Sequence, residues 1–285
     1  MRWASWDQAA LAALFSVTLA LVLSRLRPTK LSLILIPAAR EFGFISSIYS
    51  IWRLARMLPL AQEEGALDRA RQLARLQDAF HLPTELATQQ WVMEHDWLVR
   101  FTTVYYATLH VPALIAFMVW LFFRHRDQYQ RWRTALSVLT AFCLVIRFMR
   151  VAPPRFLPEL GFVDLSDRIG LSVYGPVGSG VSDQFAAMPS IHVAWAAVVS
   201  FGVFSVTTSR WRWVILPHVF ITIGVVAATG HHWWLDSIVA LALLGVALVI
   251  DRVGRQWAAR ARPPEARGHY QTAPVAQRTS ISSSP

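Results

Sequence analysis

The chain has 285 residues, of which 55% are hydrophobic and only 15% charged, with 13 Trp and a formal net charge of +10. Its apolar residues fall in long uncharged blocks rather than at the period of a half-buried helix or strand, which excludes an ordinary soluble domain. The surplus of arginine would suit nucleic acid, but it sits in short loops between the apolar blocks, as in a membrane protein, so no nucleic-acid partner is expected.

Phe101 to Phe123, Gln184 to Ser209 and Trp213 to Leu235 contain no Asp, Glu, Lys or Arg. Each is at least as long as the ~20 residues a helix needs to cross the hydrocarbon core. The expected fold class is therefore all-α, a polytopic membrane helical bundle. Seven spans are expected, at 8–26, 41–58, 101–123, 134–151, 188–208, 213–230 and 235–251. The uncharged part of the second, "FGFISSIYSIW", is short, and "LSLILIPAA" ahead of it reads as interfacial. No cleavable signal is expected: an aspartate precedes the first apolar run and no small-residue cleavage site follows it. Cys143 is the single cysteine, so an intrachain disulfide is excluded.

The loops orient the chain. "RLRPTK" (25–30), "RHRDQYQRWR" (124–133), "SRWR" (209–212) and the segment from Arg252 are basic and belong on the cytoplasmic side. Segments 59–100, 152–187 and 229–234 then lie outside, at the cell membrane's extracytoplasmic face. Within the first of these, "ALDRARQLARLQDAF" has apolar residues near helical spacing and reads either as an amphipathic surface helix or as a soluble cap helix. The chain divides into an N-terminal span and linker (1–40), a six-span core (41–251) and a basic, disordered tail (252–285), without internal repeats.

Three elements converge on the outer face. They are "RFMRVAPPRF" (Arg147 to Phe156), "AAMPSIHVAWAA" with Ser190 and His192, and "TGHHWWLD" (Thr229 to Asp236). Arginines at an outer end run against the loop statistics, so Arg147, Arg150 and Arg155, with Arg53 and Arg56 on the second span, call for an anionic partner such as a lipid phosphate. A guanidinium fork suits phosphate oxygens. His232 and Asp236 stand four apart, which on a helix stacks them on one face. A carboxylate on one imidazole nitrogen fixes the tautomer and leaves the other nitrogen as nucleophile. His192, at the same membrane level, is placed to protonate a leaving oxygen. This makes a phosphoryl-transfer site with no metal and no cofactor. His231, turned about 100° from His232 on a helix, is free to line the site, contact the headgroup or sit in the interfacial layer with Trp233 and Trp234. The bland alternatives are that Asp236 caps its helix and that the histidines and tryptophans are interfacial anchors. His110 and His218 lie inside spans without an evident carboxylate and read as structural.

"PSIH" followed by "HHWWLD" resembles the second and third signatures of the type-2 phosphatidic acid phosphatase superfamily, and "APPR" resembles a variant of the first. With "VYYATLH" and "YQRWR" ahead of them, the pattern is similar to the branch that includes inositol phosphorylceramide synthase and its bacterial relatives. The resemblance covers about residues 41–251. It implies a six-helix phosphatase-type core preceded by one extra span. It also implies a phosphohistidine at His232, oriented by Asp236, with His192 as acid and Ser190 and Arg155 holding phosphate. Two family cations are replaced: a lysine seven residues ahead of the first-signature arginine, here Phe148, and an arginine six residues ahead of the third-signature histidine, here Val226. Arg147 or Arg150 is a candidate substitute for the lysine. The expected activity is that of a membrane lipid phosphatase or phosphotransferase. The alternatives are headgroup transfer to an alcohol acceptor such as inositol or another lipid, and a catalytically silent membrane binder or transporter. Oligomeric state is not readable.

Overall fold

The computed structural model describes residues 4–57, 65–170 and 185–261, without the Arg56 side chain. Expectations for 59–64, for 171–184 within the second outer loop, and for the tail beyond 261 fall outside the described residues. Among those described, the architecture is all-helical, with no strand beyond an isolated bridge pairing Val151 with Ala186.

Helices α1 (Trp6–Arg25) and α2 (Ser32–Met57) form an antiparallel hairpin. Ala9, Ala13, Ser16 and Ala20 are the buried stripe of α1, and a Cβ on Gly43 of α2 would stand 2.9 Å from Val17 Cγ2, so small residues allow the close approach. The segment "LSLILIPAA" is not a separate interfacial stretch; it belongs to α2. Thr29 and Ser32 cap each other reciprocally at 2.8 and 3.1 Å and start the helix ahead of Pro37.

The third expected span is two helices, α5 (Asp96–Thr108) and α6 (His110–Arg124), bent by 49°. Pro112 explains the break, since it has no N–H to give and its ring crowds the carbonyl of Thr108. Helix α7 (Arg126–Ile146) ends before the expected boundary at 151. Pro153, Pro154 and Pro158 then favour two 3-10 turns, Pro154–Phe156 and Pro158–Leu160, leading to the short α8 (Leu165–Arg168). Helices α9 (Ile191–Val206), α10 (Leu216–Ala228, entered by the 3-10 turn Arg210–Ile215) and α11 (Trp234–Arg260) complete the bundle. Helix α11 runs nine residues past the expected end at 251, stabilised there by a 2.5 Å pair between buried Asp251 and Arg255.

Among the described residues, four segments are long and apolar enough to cross a membrane: α1, Ser32–Ala55 of α2, Arg210–Ala228 and α11. The bent α5–α6 pair makes a fifth if it is one span. Of the other two expected spans, α9 is a shorter apolar helix and α7 carries arginines in its first turns. The central core joins Tyr106, Leu121, Trp132, Leu139, Val193, Val198 and Leu244 from five helices.

The connectivity gathers the loops around 147–165 and 229–235 at one end of the bundle, opposite the basic turns at 124–126 and 209–212. Over the first end lie α3 (Ala66–Ala79) and α4 (Glu85–Met93). Fully buried Ala66 and Ala70 pack with Val151, Leu157 and Trp233, so α3 is a docked cap helix rather than a free surface helix.

Candidate active site

The histidine loop is built by the end of α10 and the start of α11. The carbonyl of Val226 accepts from the backbone N–H of both His231 and His232, at 3.2 Å each, which closes α10. Gly230 turns the chain at φ +66°, where a Cβ would also crowd Arg155 and Gln89 at 3.3 Å. The Gly230 carbonyl accepts from Arg155 N–H at 3.1 Å, which joins the "APPR" segment to the histidines.

Helix α11 begins at Trp234, so His232 and Asp236 do not stack on a helical face as the spacing predicts. They meet across the helix cap. Asp236 Oδ2 accepts from Trp233 N–H at 2.8 Å, and the same oxygen lies 3.3 Å from His232 Nδ1. Capping and orientation are thus one arrangement, not rival readings. The nearer partner of Nδ1 is the Ala187 carbonyl, at 2.6 Å. A carbonyl only accepts, so Nδ1 carries the proton and Nε2 is left with its lone pair. Asp236 is fully buried, and its Oδ1 has no hydrogen-bond partner among the described residues.

Ser190 caps α9, accepting from Val193 N–H at 3.4 Å, and its own N–H reaches the Asp236 carbonyl at 3.3 Å. This ties the "PSIH" turn to the first turn of α11. Ser190 is fully buried and does not line the cavity described below. His192, in the first turn of α9, stands with its ring centroid 5.8 Å from that of His232. Tyr106 of α5 lies between His192 and His231, with centroids 4.3 Å from each, and stacks on His231. Burial, reinforced by the Arg155 charge, pushes His231 well below the ordinary histidine value and keeps it neutral.

A cavity of about 240 Å³ opens among these groups, lined at its polar end by Arg147, Arg155, His192, His231 and His232. Arg155 is almost fully buried and pairs with Asp164 at 3.1 Å. Of the two candidate substitutes for the replaced lysine, Arg147 lines the cavity and Arg150 does not; the Arg150 carbonyl instead accepts from Arg69 Nε at 2.5 Å. Phe148 is partly exposed, and Val226 is buried behind the histidine loop. His218 bonds the Tyr105 hydroxyl at 2.6 Å, away from the cavity lining. His110 packs edge-on against His192, with ring centroids 5.0 Å apart, and does not line the cavity. Among the described residues no group of three or more His, Cys, Asp or Glu is arranged to hold a metal ion.

The cap supplies what the sequence pattern did not reveal. The first-turn N–H of Trp234 donates to Glu85 Oε1 at 2.7 Å, and that of Leu235 donates to Gln77 Oε1 at 3.0 Å. Gln77 Nε2 in turn donates to Glu85 at 2.8 Å. Gln89, fully buried, donates to the carbonyls of Ala228 (2.9 Å) and Val163 (3.0 Å) and accepts from Val163 N–H (2.8 Å). Two cap helices thus satisfy the open N-terminus of α11 and clamp the histidine loop to the arginine loop. The apolar spacing in "ALDRARQLARLQDAF" allowed a cap helix as one of two readings, but nothing in the sequence singled out Gln77, Glu85 or Gln89 as partners of the histidine loop.

The fold and site define a membrane-embedded helical protein with a buried histidine–carboxylate pair facing arginines across a cavity. The chain belongs to the PAP2 superfamily, whose pattern matches residues 71–250. Membership implies phosphatase-type chemistry on a phosphate ester; α1 and α2 lie outside the matched residues. No curated protein and no solved structure matches the chain.

Proposed function

We propose that the protein transfers the phosphoryl group of a lipid phosphate ester through a phosphohistidine at His232. The observation that carries this is the Nδ1–H bond to the Ala187 carbonyl, which leaves Nε2 of a cavity-lining histidine as its lone-pair nitrogen. Nε2 attacks phosphorus, the bond from phosphorus to the lipid oxygen breaks, and His192 gives that oxygen a proton. Asp236 stabilises the positive charge that forms on the His232 ring. Arg155 and Arg147 face the phosphoryl oxygens, where charge spreads in the transition state. Ser190 acts from behind, holding the start of α9 against α11. In the second half, water or an alcohol gives its proton to His192 and attacks phosphorus, the N–P bond breaks, and imidazole is restored. Arg150 lies outside the cavity lining and is given no part in the transfer.

The reading places the site on the extracytoplasmic side of the cell membrane, supported by the basic turns at the opposite end of the bundle. Transfer to an alcohol, as in inositol phosphorylceramide synthase, is favoured by one feature. Phe148 and Val226 stand where two family cations would hold free phosphate. The test is to incubate purified protein with phosphatidic acid, ceramide phosphate or phosphatidylinositol, with and without inositol or glycerol, and to identify products by mass. A phosphorylated alcohol or released phosphate that disappears in His232→Ala is expected. Turnover that survives His232→Ala would refute the phosphohistidine.

A further inference from the structure

The cavity has a second character beside its phosphate-facing end. Its remaining wall includes Trp52 of α2, Cys143 and Leu144 of α7, and Ile191 and Trp195 of α9. None of these side chains carries a charge, and the wall is continuous with His192 and Arg147. Trp52 comes from the α1–α2 hairpin, outside the residues that match the family, so family membership assigns it nothing.

The hairpin is fastened to the core far from this point. Arg133 of α7 bonds Glu41 at 2.6 Å, the Tyr129 hydroxyl donates to the same carboxylate at 3.2 Å, and the Arg133 guanidinium lies 4.8 Å over the Phe44 ring. Trp52 lies eleven positions beyond Glu41, about 16 Å along a helix. That clip fixes α2 in register at the end remote from the site, while Tyr49 and Trp52, with ring centroids 6.0 Å apart, occupy the site end. A phosphate held by the arginines must leave its hydrocarbon carbons somewhere. The wall formed by α2, α7 and α9 is the uncharged continuation of the cavity.

We propose that Trp52 is a specificity-determining residue whose indole packs against the hydrocarbon carbons nearest the phosphate ester, selecting lipid phosphates over small soluble ones. This deepens the proposed function and rests on it. The occupant is the substrate's own chain, received between α2, α7 and α9. Selection by such a wall is graded, because each methylene in an apolar pocket changes affinity only about tenfold or somewhat more.

The test uses the full-length protein in lipid nanodiscs and a phosphonate analogue of phosphatidic acid with a diazirine on the acyl carbon nearest the glycerol. After irradiation, the expected result is label on the peptide containing Trp52 and on those containing Leu144 or Trp195, removed by excess phosphatidic acid. Trp52→Ala should raise KM for phosphatidic acid about tenfold with kcat changed less than about twofold, and Trp52→Phe should recover most of the loss. Competed label confined to α10 and α11 overturns the role of Trp52 and leaves the lipid phosphate reading standing. No competed label anywhere overturns both. Should Trp52→Ala fail to fold, Trp52→Phe with unchanged KM together with unlabelled α2 overturns the proposal.

Discussion

Asp236→Asn separates charge from orientation at His232, the proposed nucleophile. An asparagine oxygen can keep the 2.8 Å cap bond from Trp233 N–H. The Ala187 carbonyl still holds the proton on His232 Nδ1 at 2.6 Å. What is lost is the negative charge 3.3 Å from Nδ1, against which, in the proposed mechanism, imidazolium forms as Nε2 bonds to phosphorus. Hydrogen bonds to charged groups contribute about 1.5–3 kcal/mol, roughly twice a neutral one, and burial raises the figure, so a loss of about 2–3 kcal/mol is expected. That converts to about 30- to 150-fold in kcat. It stops well short of the ~10⁴-fold that follows when a carboxylate alone holds the tautomer. Single-turnover formation of acid-labile phosphoenzyme from radiolabelled lipid phosphate measures it, with thermal unfolding as the control for the fold. An Asp236→Asn protein that is folded yet as inactive as His232→Ala would refute the role given to Ala187. One with wild-type rates would refute the charge argument.

His192→Ala should slow turnover of an alkyl phosphate far more than that of p-nitrophenyl phosphate, whose leaving group needs little protonation; equal slowing of both would remove His192 from the proton path. Gln89→Ala leaves the Ala228 carbonyl and both backbone groups of Val163 without their side-chain partner, and a destabilisation of about 2–4 kcal/mol is expected in chemical denaturation; a variant as stable as wild type would show that water replaces the clamp. Burial raises Glu85 above the ordinary glutamate value of 4.5. Its stabilising share is therefore complete below that value and is lost as pH rises through the raised folded pKa. Glu85→Gln keeps an acceptor for Trp234 N–H without the charge. Its Tm should match wild type near pH 4, exceed it increasingly as pH rises through the raised folded pKa and by a constant amount above it; a difference independent of pH would sink this.

The uncharged blocks reported the bundle because lipid and core both demand apolar side chains, and hydropathy reads that demand directly. His192, His231, His232, Arg147 and Arg155 were legible because ionisable groups beside apolar blocks are costly and few. The contact between His232 and Asp236 was also foreseen, but for the wrong reason: a four-residue spacing looks the same whether it spans one helical turn or a helix cap. Ala187 escaped notice because its contribution is a backbone carbonyl, which has no residue code. Gln77, Glu85 and Gln89 escaped because polar positions on an amphipathic helix are read as facing water, and nothing local signals that a loop some 150 residues away will satisfy them. Trp52 sat inside an apolar run, where an aromatic reads as packing, and Tyr106 entered only as part of the quoted "VYYATLH", with no role of its own.

The clasp between cap and histidine loop also bears on the order of assembly. Hydropathy alone can carry α11 into a bilayer, but two of its first-turn donors wait for partners 149 and 158 positions earlier in the chain. Contacts of such separation form late, after the costlier loop closures. A chain already threaded through the membrane would therefore stay chemically inert until residues 66–93 settle over it. In the proposed mechanism, the setting of His232 is then a tertiary event that needs the cap, rather than a property of any one inserted helix.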